Sequence, residues 1–280
     1  MKFVPKLSKD NVNVTKTSHL KQFLFLLGAL FGLVFIVIVI LTLIADYLVS
    51  YIPRSTERAL FKNVTFGLPA VTSQSNPSDQ QVNRYVEQIV SKLSKHWQGE
   101  KQAFSIRVVH LDAPNAFVTP GGYIYVTSGL FKYVKSENGL AMVIGHEMAH
   151  QYKRHPLRSF SRGTIVLLTL AIVTGFEQSD SVSSLISNSA VLTLLKFSRD
   201  QESEADKIGQ QLVKATYGHL NGTDEFFSSI VNIKSIDNKI PTFLKSHPDT
   251  KSRQQMLNHA IKNRSHQLIP LPEFLRTYRR

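Results

Sequence analysis

The 280-residue sequence contains no cysteine. A disulfide therefore cannot staple the fold, and no thiolate can ligate a metal ion, so any metal site must use histidine and carboxylate side chains. Internal repeats and low-complexity tracts are also absent, which excludes repeat architectures. The roughly 235 residues that follow position 45 are enough for one domain with a sizeable core.

Acidic residues are scarce relative to basic ones, because 20 Asp and Glu stand against 33 Lys and Arg, a net charge of +13. The basic residues are scattered and no recognised nucleic-acid-binding motif accompanies them, so we expect no nucleic-acid partner. A basic surface of this kind is more consistent with the anionic headgroups of a membrane lipid.

Residues 23–45 form a long apolar run without any charge. As a helix these residues would be about 34 Å long, which is enough to span a bilayer with some tilt. A cleavable signal would have an apolar core of only about 7 to 15 residues and a small-residue cleavage site. The run therefore predicts an uncleaved transmembrane anchor.

The charges on either side of this run predict its orientation. Residues 1–22 form a basic tail with five lysines and one acidic residue, Asp10. The stretch after the run carries three basic and two acidic residues up to position 62. The positive-inside rule then keeps the N-terminus in the cytoplasm. We expect a single-pass protein of the inner (cytoplasmic) membrane, with its large domain on the periplasmic or extracytoplasmic side.

His146, Glu147 and His150 form the most informative short pattern, His-Glu-x-x-His. Residues four apart share one helix face, so both imidazoles can reach one ion while Glu147 leans toward a water molecule. A helix is expected here independently, because the N-cap candidate Ser136 precedes apolar residues at helical spacing. Zinc lowers the pKa of water to about 7, and a nearby carboxylate then acts as general base. The pattern indicates peptide-bond hydrolysis, the alternative being two structural histidines.

A zinc ion held by two histidines needs a third protein ligand and one open position. Glu202 and Asp206 are four apart in a polar helical stretch, so Glu202 could complete the site while Asp206 accepts a hydrogen bond from a ligating imidazole. Taken alone, such acidic residues usually form a solvated helix face. Glu204 points away from this pair, and we expect it to keep that solvated role.

Four motifs in order resemble a known family of zinc metallopeptidases. This family groups the CAAX prenyl protease, the HtpX heat-shock protease, the mitochondrial Oma-type protease and the periplasmic BepA-type protease. The resemblance extends over about residues 80 to 265 and rests on a strand segment at residues 115–130 and three short patterns, which are His146-Glu147-x-x-His150, Ser198-Arg199-x-x-Glu202-x-x-Ala205-Asp206, and Ser246-His247-Pro248 with Arg253.

The resemblance implies a role for each matching residue. One zinc ion would be bound by His146, His150 and Glu202, with Glu147 as the base and Asp206 as the carboxylate behind an imidazole. His247 and Arg253 would lie near the open side of the zinc, where they could stabilise an oxyanion. From its own sequence context, His247 is equally consistent with an ordinary helix start. Gly139 departs from the family pattern, because relatives often carry an acidic residue there.

The fold that we expect is α+β and mainly helical, a zincin-like metallopeptidase domain with a small sheet. Residues 46–77 form a juxtamembrane linker, and residues 78–280 form the domain, which begins with a helix capped by Ser78 and Gln81. Residues 104–111 and 123–127 are predicted strands.

A second apolar run, residues 163–176, is too short to span a bilayer comfortably. We interpret it as a buried core helix, with an element that dips into the membrane as the alternative. Together with residues 189–197 it could form a hydrophobic flank that rests on the membrane near the site.

The sequence therefore predicts a membrane-anchored zinc endopeptidase that acts on misfolded or membrane-associated proteins. An extended protein or peptide substrate would add as a strand to the sheet edge formed by residues 115–127. The alternative is a catalytically silent, chaperone-like or binding protein on the same fold, which the intact ligands and base make the weaker interpretation.

Overall fold

The computed structural model describes residues 18–64, 76–174, 197–230, 247, 250–261 and 266–278. Most of the basic tail lies outside the described residues, as do residues 175–196, which include parts of both apolar segments predicted to flank the membrane. Ser246 and Pro248, which neighbour His247 in the third motif, also lie outside them.

Helix α1, His19–Val49, contains the whole of the predicted anchor. Its apolar window has a mean hydropathy of 3.2 and none of it is buried. By length and composition this helix is able to cross a membrane.

Helix α2, Arg54–Phe61, shows that the segment after α1 is more than a linker. Arg54 donates to the backbone oxygen of Gln151 at 2.8 Å. The buried Glu57 accepts bonds from the amide of Gln151 at 2.7 Å and from the backbone N–H of Gly121 at 2.8 Å. The end of the apolar helix is therefore docked onto the domain.

Helix α3, Pro77–Ser94, begins two residues earlier than expected from its capping pattern. Asn76 is the N-cap, and its side chain accepts from the backbone N–H of Ser78 at 3.0 Å. Proline suits the first helical position because its missing N–H needs no partner there. The apolar face of α3 is buried, with members Val82, Val86, Ile89 and Leu93.

The small sheet has three strands in the order β1-β3-β2. β1 (Ser105–Val109) pairs parallel to β3 (Tyr123–Thr127), and β2 (Ala116–Thr119) pairs antiparallel to β3. Both predicted strands are confirmed, with the first one shorter than expected. β2 lies at one edge of the sheet, and a 3₁₀ turn, Ser128–Lys132, leads out of β3.

Helix α4, Glu137–Tyr152, is buried along its whole length and forms the centre of the domain. Ser136 is its N-cap, as predicted, and accepts from the backbone N–H of Gly139 at 3.0 Å. Glu225 accepts from the backbone N–H groups of Lys135 and Ser136 at 2.9 and 3.0 Å. A side chain at Gly139 would collide with Glu225, because its Cβ would lie 2.4 Å from Oε2. Glu225 therefore supplies the negative charge that an acidic residue at position 139 would otherwise bring.

Helix α6, Arg199–Tyr217, follows a capping box in which Ser198 and Gln201 exchange bonds. It crosses α4 at two glycines, Gly145 and Gly209. A Cβ on Gly209 would lie 3.1 Å from the backbone nitrogen of His146. The missing side chains let the two helix backbones approach closely.

Helix α5, His155–Thr174, contains the first twelve residues of the second apolar run. The prediction of a buried core helix is wrong, because none of its described side chains from residue 163 onward is buried. α5 packs alongside α1 and is itself long and apolar enough to cross a membrane. Four of its apolar side chains are more than a third exposed, namely Val166, Leu168, Ile172 and Val173.

Two C-terminal helices complete the described fold, α7 (Thr250–Ala260) and α8 (Glu273–Tyr278). A β-bridge joins Ser136 to Pro270, which ties the C-terminal segment to the start of α4. Leu257 of α7 and Leu275 of α8 are fully buried in the main core.

The first turn of α4 is held by Glu137, which is 4% exposed. Lys92 donates to this carboxylate at 2.6 Å, and the hydroxyls of Tyr85 and Tyr217 donate at 2.8 and 2.9 Å. Burial acts to raise the pKa of Glu137, but these donors outweigh it and hold the pKa below its ordinary value.

We predict that Glu137→Gln lowers the free energy of unfolding by about 1–3 kcal/mol, because three donors lose a buried, charged acceptor. A carboxylate with a depressed folded-state pKa stabilises the fold above its ordinary pKa of 4.5 and loses that contribution as the pH falls further. Circular-dichroism melting of the full chain in detergent, between about pH 3 and 7, should show the difference from wild type shrinking in acid. Glu87→Gln on the exposed face of α3 is the matched control. An equal loss of stability in both variants would contradict the prediction.

Candidate metal centre

Four potential metal ligands meet in the interior of the domain. His146 and His150 come from α4, Glu202 comes from the first turn of α6, and His247 precedes α7. One ligand atom from each lies within 4.8 Å of every other, and all four residues are buried. The i, i+4 spacing predicted that the two α4 histidines share a face, and the crossing with α6 adds the carboxylate.

The distances between these atoms fit a tetrahedral zinc site. At zinc–ligand distances of about 2.0–2.1 Å, neighbouring ligand atoms of a tetrahedron lie about 3.3 Å apart. The Nε2 atoms of His146 and His150 are 3.0 Å apart. The Glu202 oxygens lie 3.4 Å from His146 Nε2 and 3.5 Å from His150 Nε2. His247 Nδ1 lies 3.3 Å from His146 Nε2 and 2.9 Å from Glu202 Oε1. The donor set, imidazole and carboxylate without thiolate, is one that zinc accepts.

Asp206 lies behind His146, as the resemblance implied. Its Oδ1 is 2.9 Å from Nδ1 of His146, the ring nitrogen that faces away from the cluster. Such a contact fixes the tautomer and orientation of a ligating imidazole.

Arg253 forms ion pairs with two carboxylates of the site, those of Asp206 and Glu202. It donates from Nε and Nη2 to the two oxygens of Asp206 at 2.7 and 2.8 Å. Its Nη1 is 2.5 Å from Oε2 of Glu202, and the guanidinium lies over the Phe227 ring. This corrects the expectation of an oxyanion-stabilising group at the open side, because the guanidinium is already held between two buried carboxylates.

His155 and Glu204 lie behind His150 in a series of side-chain contacts that the sequence did not predict. Nδ1 of His150 lies 3.0 Å from Nδ1 of His155, whose Nε2 lies 3.2 Å from Glu204 Oε2. If His150 binds metal through Nε2, its Nδ1–H donates to His155, and His155 in turn donates to Glu204. Glu204 is partly solvated, as expected, with its side chain 43% exposed, but it also pairs with Lys153 at 2.8 Å and reaches His155. The presence of a histidine five residues after His150 was the signal available in the sequence.

Glu147 is fully buried, and neither of its carboxylate oxygens has a hydrogen-bond partner among the described residues. Burial raises the pKa of this carboxyl, and the His247 and His146 rings only partly oppose the shift. The Val118 backbone faces the carboxylate and also lowers its pKa, without reaching hydrogen-bonding geometry. Oε1 lies 3.6 Å from Nε2 of His247, within range of an ion pair but not of a hydrogen bond. A buried acceptor without a hydrogen bond beside a ligand cluster is placed to receive a proton.

The electrostatics of the cluster favour a cation. Burial acts to raise the pKa of Glu202, but the His247 and His146 rings outweigh it and hold it well below its ordinary value. Burial likewise opposes ionisation of Asp206, and Arg253 overcomes it, lowering that pKa to about 2. Burial acts to lower the pKa of His146, yet the two carboxylates raise it to about 9. The carboxylates are thus anionic, and a proton on His146, or a metal cation in its place, balances part of their charge.

The model of peptidase family M48 matches residues 80–261. The chain belongs to this family. M48 metallopeptidases are zinc-dependent, and the cluster of His146, His150, Glu202 and His247 can bind one metal ion. All four candidate ligands lie within the matched range.

Curated relatives agree with this assignment. The chain is 30% identical over 179 residues to the mitochondrial metalloendopeptidase OMA1 of Schizosaccharomyces pombe, covering 63% of this chain and 52% of the relative. It is 28% identical over 186 residues to a putative beta-barrel assembly-enhancing protease of Vibrio cholerae, covering 63% and 38%. With the beta-barrel assembly-enhancing protease of Escherichia coli K12 it shares 24% identity over 204 residues, covering 69% and 41%. The chain thus spans about half the length of these relatives, or less.

We predict that His155→Ala weakens zinc binding about 10- to 100-fold, because His150 loses the partner that orients its ring. Glu204→Gln should have a smaller effect, since solvent reaches this side chain and screens its charge. Competition with a fluorescent chelator on the full chain measures the affinity. His259→Ala removes an exposed imidazole from α7 and is the matched control. Equal affinities in His155→Ala and the control would rule out the orienting role.

Proposed function

We propose that this protein is a membrane-anchored zinc metalloendopeptidase. The observation that supports this most directly is the buried cluster of three histidines and a carboxylate beside Glu147, whose buried carboxylate has no hydrogen bond among the described residues. His146, His150 and Glu202 are the proposed zinc ligands, and family membership supplies the peptidase activity.

When bound, zinc supplies a Lewis acid that polarises a peptide carbonyl and lowers the pKa of water to about 7. Glu147 accepts the proton of the attacking water and later passes it to the leaving amine. Asp206 and His155 orient the two α4 imidazoles by contacting the Nδ1 atoms of those rings. Arg253 holds Asp206 and Glu202 in place, so we propose it as a positioning residue.

The free edge of β2 is the proposed binding site for an extended substrate. The Thr127 N–H donates to the Asn115 oxygen at 3.0 Å, which makes these residues a hydrogen-bonded pair. In an antiparallel ladder such pairs alternate, so the backbone groups of Ala116 and Val118 point away from β3. Val118 faces Glu147, which supports strand addition directly beside the catalytic base.

The described arrangement is a closed one. His247 is 0% exposed, and every residue of β2 is buried. We propose that His247 occupies the fourth ligand position in this state and leaves it when substrate enters. This is the alternative to the role of an oxyanion donor, and the two roles predict opposite effects on small peptides.

The cellular role that we propose is protein quality control at a membrane, acting on misfolded or membrane-associated proteins. The apolar α1 and the names of the relatives support it, since these are a mitochondrial metalloendopeptidase and proteases that enhance beta-barrel assembly. The charge bias of residues 1–62 supports a cytoplasmic N-terminus and a domain on the periplasmic or extracytoplasmic side.

Glu147→Gln should lower kcat by about 10² to 10⁴ while the chain keeps one zinc, because only the proton acceptor is lost. Glu202→Ala should lose the zinc as well. Cleavage of a casein-type substrate and metal analysis of the same preparations distinguish the two. Asp200→Asn, which changes an exposed carboxylate two residues before Glu202 in the first turn of α6, should retain both activity and zinc. Full zinc occupancy in Glu202→Ala would show that another residue is the third ligand, and a protein that binds zinc without cleaving any substrate would favour the chaperone-like alternative.

His247→Ala should retain zinc and lose one nitrogen neighbour of the metal in X-ray absorption. Hydrolysis of short peptides should become faster, because the fourth position no longer needs to be vacated. His259→Ala again serves as the control. A fall in kcat of about 10² to 10³ with unchanged metal coordination would instead assign His247 to the oxyanion.

The topology prediction is tested by a reporter that is active only outside the cytoplasm, fused after Arg280. The fusion should be active, because the positive tail keeps the N-terminus inside and α1 crosses once. Activity restricted to a cytoplasmic reporter would reverse the orientation and with it the proposed compartment of the substrates.

A further inference from the structure

Helix α5 presents an apolar surface that no described part of the domain covers. Ile172 is 71% exposed and Val173 is 49% exposed. Single exposed apolar residues are ordinary, but residues 163–174 contain no charged residue at all. A continuous exposed apolar surface indicates a partner.

The neighbour of α5 suggests what that partner is. Arg154, just before α5, donates to the backbone oxygens of Val49 and Ile52 at 2.6 and 2.5 Å, beside the end of α1. Further along α5, Arg162 forms a bidentate ion pair with Asp46 of α1. α5 therefore runs back along α1, toward the apolar stretch that is able to span a bilayer.

The Asp46–Arg162 pair marks a boundary on both helices. On α1, residues 23–45 before Asp46 are uncharged, and on α5, residues 163–174 after Arg162 are uncharged. Beyond this boundary, the hydroxyl groups of two α5 threonines form hydrogen bonds within the helix. Thr164 and Thr169 donate to the backbone oxygens one turn earlier at 2.9 and 2.8 Å. A hydroxyl group in the hydrocarbon core of a bilayer needs such an internal bond, because no water is present there to accept its proton.

We propose that the partner of this surface is the lipid bilayer, and that α5 inserts beside α1 as a second membrane helix. The twelve residues after Arg162 are about 18 Å long as a helix, against a hydrocarbon core of about 30 Å. The described part of α5 thus reaches past the middle of the hydrocarbon core, and the Asp46–Arg162 pair lies at the water interface.

This insertion sets the height of the metal centre, which is its distance from the membrane interface. Together with the proposed function, that height defines the class of substrate. His155 lies seven residues before Arg162, or about 11 Å along the helix. Its Nδ1 is 3.0 Å from Nδ1 of the candidate ligand His150. The centre is therefore about 10–15 Å from the interface, a distance that an extended chain covers in about four residues. The substrates are then membrane-anchored proteins, cut in the first few residues outside the bilayer.

The absence of cysteine makes the insertion directly testable. Ile172→Cys and the matched control Ile269→Cys, a 43% exposed isoleucine outside α1 and α5, are reconstituted as full chains in proteoliposomes. A charged maleimide is supplied on both sides of the membrane. The thiol at position 172 should react at least about tenfold more slowly than the control, because thiolate does not form in hydrocarbon. After denaturation in detergent and urea, the two should react equally.

Lipid must then be distinguished from a second copy of the chain. A fluorophore attached at position 172 should be quenched by phospholipids that carry nitroxides deep in their acyl chains, and one at position 269 should not. Fast labelling of Ile172→Cys in membranes would overturn the proposal. Slow labelling without quenching by lipid nitroxides would also overturn it, because protein rather than lipid would cover α5.

The height is tested with a substrate that has one transmembrane anchor and a disordered tail, incubated with wild type in the same vesicles. Mass spectrometry should map the cuts to about four to eight residues from the anchor. Cuts spread evenly along the tail would contradict the inferred height. No cleavage of this substrate or of soluble peptides would contradict the proposed function, whereas the labelling and quenching results decide the lipid contact independently.

Discussion

The close crossing of α4 and α6 is the constraint on which the metal centre depends. Gly145 and Gly209 face each other there, and a Cβ at position 209 would lie 3.1 Å from the backbone of His146. The approach brings the acidic i, i+4 pair of α6 against the imidazole pair of α4. Side chains of fixed length could not make these contacts if the two backbones were separated by larger residues. The imidazole pair of α4 and the acidic pair of α6 therefore form one site only because the two helices cross closely.

Such a concentration of buried charge is costly unless every charge has a partner. Arg253 meets this requirement for Asp206 and approaches Glu202, since its guanidinium donates to a carboxylate in a fixed fork geometry. A lysine could not reproduce the two parallel bonds. The remaining negative charge faces the imidazole nitrogens, so a divalent cation would complete the charge balance. Metal binding and stability of this region are accordingly coupled.

The parts of the site that sequence could predict were those with local periodicity or a recognisable motif. The spacing of His146 and His150 and the N-cap Ser136 define the α4 face without any knowledge of the fold. The assignment of Glu202 among several acidic residues needed the family resemblance, because acidic helix faces are usually solvated. The role of Glu204 was missed, since its contact with His155 depends on how α5 begins and not on the spacing within α6. The exposure of α5 was also missed, because an apolar run alone does not distinguish a core from a lipid environment.

The anchor and the metal centre are mechanically linked through the C-terminal end of α4. Arg154 adopts a left-handed backbone conformation with φ of 57°, which is uncommon for a residue other than glycine. That conformation turns the chain from α4 into α5 and directs the guanidinium to the backbone oxygens of Val49, the last residue of α1, and of Ile52 just after it. Glu57 and Arg54 of α2 add further bonds to Gln151, the residue after His150. A change in the tilt of α1 must therefore be transmitted either to the helix that carries His150 or to the bonds that join the two. Because the described site is closed, this connection provides a physical route from α1 to the opening of the site.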